Sequence, residues 1–294
     1  MLLEIPHTSW VIMDSVFDAE AFIQKFKDEL EVPADIAVDL NSRLVEDLDF
    51  DSLQMMLTLE WLSELLPDGV QVGDEQEVLD ALVSVRSAHA YYLTRSSMPA
   101  EEDRPTAPLG VGSPVLRGRL VSLMAPLGNH YARLYEIAIS NEIAWRWRYG
   151  GSIPSYDEFL RTFSSGVLTQ LVITRPDNEQ AMGLVVAYNA NLQNRTAYLA
   201  VVVSRELVGS GAGIEGATLF LRHLFRTCDF EKIYIETPEF NVAQFGSGLD
   251  KYFKLEGHLK SHSYFVGRRW DQLIFAVYRD DVLMRWFQEN ECGR

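Results

Sequence analysis

Two stretches of the chain hold residue types whose order suits chemistry on a phosphate or a thioester. In Asp51-Ser52-Leu53 a hydroxyl opens an apolar run of helical spacing (Leu53, Met56, Leu57, Glu60, Trp61), with Leu44, Asp47, Leu48 and Asp49 ahead of it. On these residues alone a helix cap accounts for the pattern, because free N–H groups of a first turn need acceptors. In Val208-Gly209-Ser210-Gly211-Ala212-Gly213 a glycine-rich turn joins a β-rich run to an apolar helical run. Glycines let backbone N–H groups approach a phosphate, and the helix N-terminus adds positive potential; a plain turn before a helix is the simpler reading. At least four strand-like runs precede this turn, which argues against a dinucleotide fold, where the turn follows the first strand.

The chain that positions these residues has 294 residues, enough for two ordinary domains, and is 47% hydrophobic and 23% charged. Its net charge of −16 is unevenly spread. Residues 1–114 hold 6 Lys+Arg against 23 Asp+Glu, which leaves 20 of the 26 cations and 19 of the 42 acids for residues 115–294. The acidity of the first third argues against nucleic acid or an anionic membrane as partner, and suits docking by basic surfaces of other enzymes. Cys228 and Cys292 lack metal-ligand spacing, so no metal site is expected. No leader and no membrane span is read, and a reducing, cytoplasmic setting is the expectation.

Periodicity then supplies the elements. Residues 1–14 are a short apolar lead with no assignment. Helices are expected over about Phe17–Leu30, Ser52–Leu66, from near Asp74, and over Val83–Leu93. Residues 95–114 carry Pro99, Pro105, Pro108, Pro114, Gly110, Gly112 and Glu101-Glu102-Asp103 without apolar period, and read as a flexible linker between halves that fold alone. Beyond it come a strand in Leu120–Met124, helices at His130–Ala144 and Tyr156–Phe163, and strands at Leu171–Thr174, Gly183–Tyr188 and Thr196–Val203. A helix from Gly213 to Phe225, a strand at Lys232–Glu236 and two strand-like stretches within Gly257–Tyr278 complete a mixed α/β (α+β) domain.

In residues 15–94 the order of helices and the Asp51-Ser52-Leu53 motif resemble an acyl carrier protein, an all-α four-helix bundle. The resemblance implies that Ser52 receives a 4′-phosphopantetheine arm from a phosphopantetheinyl transferase. Residues 115–294 resemble the GNAT acyltransferases, in the branch of the ribosomal-protein alanine N-acetyltransferases. The landmarks are Leu116–Leu123 as first strand, Gly183-Leu184-Val185, the glycine loop, Glu236-Thr237 with Asn241, and Phe253-Lys254-Leu255-Glu256-Gly257. That resemblance implies a multidomain chain that binds acyl-coenzyme A. The arm would lie along Leu199, Val201 and Val202, its phosphates on Val208, Gly209, Ser210, Gly211, Ala212 and Gly213, with Asn241 nearby.

The second resemblance has departures. Val208 stands where the family's loop begins with Arg or Gln, Gln244 where a serine protonates the leaving thiolate, and Ser263 where a glutamate serves as base. Gln244, His262 and Tyr198 are the catalytic candidates, with Tyr264 and Glu142 as further substitutes. Trp145 and Trp147 read as packing or as a wall of the acceptor pocket. Three functions remain open: transfer of an acyl group to a small-molecule or carrier-bound amine; loading of the Ser52 arm from acyl-coenzyme A, since a thiol needs less base assistance than an ammonium group; and a non-catalytic carrier with a binding domain. A carrier joined to an acyltransferase implies polyketide, peptide or modified-fatty-acid biosynthesis and partner enzymes from it.

Overall fold

The computed structural model describes residues 17–67, 70, 73, 75–98, 115–140, 148–176 and 179–283. The apolar lead, most of the expected linker, Glu142, Trp145 and Trp147 lie outside the described residues.

Four helices come first: α1 (Ala19–Glu29), α2 (Ser52–Glu64), α3 (Glu75–Ala81) and α4 (Val85–Ser96). Each described start of α1, α2 and α4 has a side-chain cap, supplied by Asp18, Asp51 and Ser84. Asp51 accepts from the Gln54 N–H at 2.9 Å while the Gln54 side chain accepts from the Asp51 N–H at 3.1 Å, a reciprocal capping box. Phe22 and Phe26 of α1 pack on Trp61 of α2, with ring centroids 5.1 and 5.8 Å apart. The helix α4 extends into what the sequence suggests as linker, ending at Ser96.

The second half is an eight-stranded sheet of order β1-β2-β3-β4-β5-β6-β8-β7. Its strands are β1 (Leu116–Arg117), β2 (Ser122–Met124), β3 (Val167–Thr174), β4 (Ala181–Asn191), β5 (Thr196–Val203), β6 (Lys232–Pro238), β7 (Lys254–Phe265) and β8 (Arg268–Tyr278). Every neighbouring pair is antiparallel except β5 and β6. One face carries α7 (Ala212–Thr227); the other carries α5 (Tyr131–Ala138) and α6 (Tyr156–Thr162). Alternation along the strands sets the faces. Val185, Ala187, Ala197, Leu199 and Ile233 pack with Phe220 and Leu224 of α7, while Leu184, Val186 and Val202 pack with Leu134 and Phe159.

The expected first strand, Leu116–Leu123, is instead a hairpin: Leu116 pairs with Leu123 and Arg117 with Ser122. The buried Glu215, in the first turn of α7, holds that hairpin, accepting from the N–H groups of Arg119, Leu120 and Val121 at 2.8–2.9 Å. Burial pushes its carboxyl up, and the three donors offset only part of the shift. At the other end of α7, Arg279 donates to the carbonyls of Phe225, Cys228 and Phe230 at 2.6–2.7 Å. It thereby caps a helix C-terminus with a cation.

The two halves are packed together. One apolar cluster runs from Phe22, Leu59 and Trp61 through to Phe220 and Ile233. The helix α2 is buried nearly all round, at Leu53, Met55, Met56, Thr58, Leu59, Trp61 and Leu62, because α1 and α4 cover one side and α7 the other.

Arg279→Ala leaves three carbonyls without their charged donor. It should lower unfolding stability by about 2 kcal/mol or more, at about 1.5–3 kcal/mol per charged hydrogen bond before water compensates. Urea unfolding followed by tryptophan fluorescence measures this; an unchanged midpoint would show the cap to be redundant.

Candidate functional site

The parallel pairing of β5 with β6 runs from Thr196 with Lys232 to Leu199 with Ile235 and goes no further. Past that point β5 continues to Val203, still paired with β4, and β6 continues to Pro238, still paired with β8. The strands therefore splay, and the β5 backbone from Ala200 onward loses its partner on one side. Unpaired strand edges bind extended chains carrying amides.

A cavity of about 260 Å³ occupies the splay. Its walls are Leu199–Val203 of β5, Ile235–Pro238 of β6, Ile214 and Leu221 of α7, and Phe245 with Phe253. Ile235 packs toward α7 and Glu236, by alternation, faces the opposite side, so a cavity lined by both passes between the strands. One end is the glycine loop, with Val208, Gly209, Gly211 and Gly213 in its wall. The other element there is Ser52, from the N-terminus of α2.

The seating of α2 on this loop is close. Gly211 has φ +83°, and a Cβ placed on it would lie 3.1 Å from both the Ser52 carbonyl oxygen and the Met56 nitrogen. On the far side of the α2 N-terminus the Asp51 carboxylate accepts from the Ser247 N–H at 2.8 Å and from the Ser247 hydroxyl at 2.9 Å. A Cβ on Gly248 would meet the Leu53 side chain at 2.6 Å. Ion pairs flank the contact: Lys251 with Glu31 at 2.9 Å and Arg119 with Glu60 at 4.0 Å. Ser52 is 9% exposed, and its hydroxyl has no hydrogen bond among the described residues.

The structure thus brings together Ser52, Leu199, Val201, Val202, Val208, Gly209, Gly211, Gly213, Asn241 and Gln244 around one cavity. Four candidates stand apart. Ser210 turns its hydroxyl onto the loop, donating to the Leu207 carbonyl at 2.8 Å and accepting from the Ala212 N–H at 3.3 Å, and Ala212 is buried under α7. His262 and Tyr264 are exposed on β7, Ser263 between them is half-buried and donates to Gln272, and all three lie outside the cavity wall. The residue count that aligned them took no account of the irregular β7 register between Leu259 and Ser263. Tyr198 is not in the wall either; it faces the α5/α6 side in a row with Tyr188 and Tyr234, at centroid distances of 5.6 and 5.2 Å.

Sequence reasoning passed over Glu236 as a catalytic residue. Among the described residues it is the one charged side chain in the cavity wall. Burial, and after it the Glu236 charge, pushes the Tyr188 hydroxyl up to about 12 and raises Tyr198 as well, so both stay protonated donors near neutral pH. The signal was present in the alternation Ile233, Tyr234, Ile235, Glu236, which sets the tyrosine and the carboxylate on one face.

Neither a family model nor a curated protein matches the chain. Among solved structures it is similar to a spermidine/spermine N-acetyltransferase from Vibrio cholerae, at 19% identity over 56% of this chain and 96% of that one, with a TM-score of 0.47. It is also similar to a GNAT-family acetyltransferase from Bacillus anthracis, at 11% identity over 56% and 98%, with a TM-score of 0.47. A third is a GCN5-related N-acetyltransferase from Brucella melitensis, at 16% identity over 56% and 79%, with a TM-score of 0.45.

Gly211→Ala places a methyl group against the α2 backbone at a left-handed position. The strain is worth about 1 kcal/mol, and the contact loosens the seat of α2 on the loop. Exchange of the α2 first-turn amides should accelerate about fivefold or more, read by hydrogen–deuterium exchange; unchanged protection would mean that the seat tolerates the methyl.

Proposed function

We propose that the chain is an acyltransferase that moves an acyl group from a 4′-phosphopantetheine thioester to an amine, and that Ser52 carries such an arm. The observation that supports this most is the position of Ser52 at the mouth of the splayed cavity. An arm on its oxygen would enter directly between β5 and β6, where its amides meet the free edge of Ala200–Val203. The glycine loop offers N–H groups to phosphate at the same mouth. The arm supplies an activated acyl carbonyl when bound.

The chain's own residues would then do three things. The strand edge fixes the arm, so that much of the rate comes from placing an amine beside the thioester carbon. Backbone N–H groups of the splay face the carbonyl oxygen as it gains charge. Glu236 accepts the proton that the amine nitrogen sheds as its bond to the acyl carbon forms. The carbon–sulfur bond breaks, and the thiolate takes a proton from solvent or from a hydroxyl donor on the tyrosine face, giving an amide and a free arm thiol. Gln244 lines the cavity as a neutral hydrogen-bonding group and does not titrate. Loading of the arm from acyl-coenzyme A is the second reading. The carboxylate at the far side of the cavity favours the amine, since it both attracts a cation and takes its proton.

Intact-protein mass spectrometry tests the carrier half. Wild-type chain treated with coenzyme A and a phosphopantetheinyl transferase should gain one arm, and Ser52→Ala none; an arm on the alanine variant would relocate the site. Activity toward an added primary amine should rise with pH as free ammonium deprotonates. Glu236→Gln should reduce kcat by about 10²–10⁴, while Gln244→Ala should cost about tenfold or less, as one neutral hydrogen bond does. The reverse ranking would make Gln244 the donor to the oxyanion or the leaving group.

A further inference from the structure

The glycine loop has two conceivable occupants, a free coenzyme A or the phosphate of an arm on Ser52, and the seat of α2 discriminates between them. The first turn of α2 lies on the loop itself, with the Ser52 carbonyl and the Met56 nitrogen at contact distance from a Cβ at Gly211. The space over Gly211 on that side of the loop is therefore filled by protein.

Charge points the same way. No lysine or arginine stands in the cavity wall among the described residues, and Glu236 is its one charged group. Asp51, anchored by Ser247, adds a carboxylate next to Ser52. Coenzyme A brings a pyrophosphate and a ribose phosphate, several negative charges with no cation to meet them. A single phosphodiester on Ser52 needs less. It would sit where the N-termini of α2 and α7 converge, each contributing about half a unit of positive charge. Ser52, at the N-terminus of α2 and in the cavity wall, is the attachment point.

We propose that the donor in this site is the thioester on the chain's own Ser52 arm, and that seated α2 excludes coenzyme A from the glycine loop. This rests on the acyltransferase reading but stands on its own observable, the competition between α2 and the nucleotide. It also requires the chain to open, because Ser52, 9% exposed as a residue and seated against the glycine loop, is out of reach of a phosphopantetheinyl transferase until α2 lifts. Modification and transfer belong to different states of one molecule.

Two measurements on the full chain test this. In the first, calorimetry follows coenzyme A binding to the unmodified wild type and to Lys251→Glu/Arg119→Glu, which reverses both flanking ion pairs. Circular dichroism checks the fold, and the exposed Glu31→Lys provides a milder second variant that Lys251→Glu should rescue. Binding should be about tenfold or more tighter in the loosened chain, because each reversal turns an attraction across the seat into a repulsion. Equal affinity, including no binding by either chain, would overturn the exclusion. In the second, wild-type chain bearing an acetyl group on the Ser52 arm is mixed with carbon-13-labelled acetyl-coenzyme A and phenethylamine. Unlabelled amide in the first turnover supports the arm as donor, and labelled amide overturns it. No amide at all, together with tighter coenzyme A binding by the loosened chain, would retain the exclusion and sink the acyltransfer reading.

Discussion

Where β5 and β6 part company, after Leu199 and Ile235, the sheet gives up backbone hydrogen bonds that a buried strand ordinarily needs. The gap stays open because both strands are held from outside. Val202 and Val203 remain paired with Leu184 and Gly183 of β4, and Glu236 to Pro238 with Ile274 to Gln272 of β8. Phe245 packs on Phe253 and Phe275, at 4.9 and 5.7 Å, and props the β6 side. The opening is thus built by the register of the neighbouring strands. What enters it must bring its own amides, or the released groups stay with water.

The helix α2 answers to two partners at once. Its Met55, Leu59, Trp61 and Leu62 belong to the core with α1 and α4, while Leu53 and Met56 lie toward Gly248 and Gly211. Contacts of the second kind are an Asp51 pair of hydrogen bonds, two flanking ion pairs, and the apolar packing of α2 on α7. Exposed ion pairs contribute about 0–1 kcal/mol each. The acidic surplus of residues 1–114 and the near-neutral remainder do not repel.

Much of this was legible in the residues themselves. The start of α2 was marked by Asp51 and Ser52, and strands by apolar runs such as Leu171–Thr174 and Thr196–Val203. The glycine loop and Ser52 were singled out separately; that they meet was not readable, because no local rule relates residue 52 to residue 211. One hint existed, since α2 is apolar on more faces than a four-helix bundle can cover. The hairpin at Leu116–Met124 was missed because its turn is held by a distant carboxylate, Glu215, and not by turn residues. That His262 and Ser263 lie outside the cavity wall was not readable either: counting along the chain cannot see the irregular register of β7, and each residue of slip reverses the face.

A weak seat is enough for a tethered donor. An arm on Ser52 is part of the same chain as the cavity, so its encounter with β5 is intramolecular and proceeds at an effective concentration set by how far α2 moves, commonly about millimolar for a short flexible tether. Affinity that would be poor between separate proteins then fills the site. Free coenzyme A competes against that local concentration and against the covering of the loop by Ser52 and Met56 at Gly211. The same weakness keeps the Ser52 hydroxyl within reach of a modifying enzyme for part of the time. On the proposed reading, a tighter seat would occupy the cavity more fully but would hinder attachment of the arm, so the contacts around Asp51 and Lys251 bear on both steps.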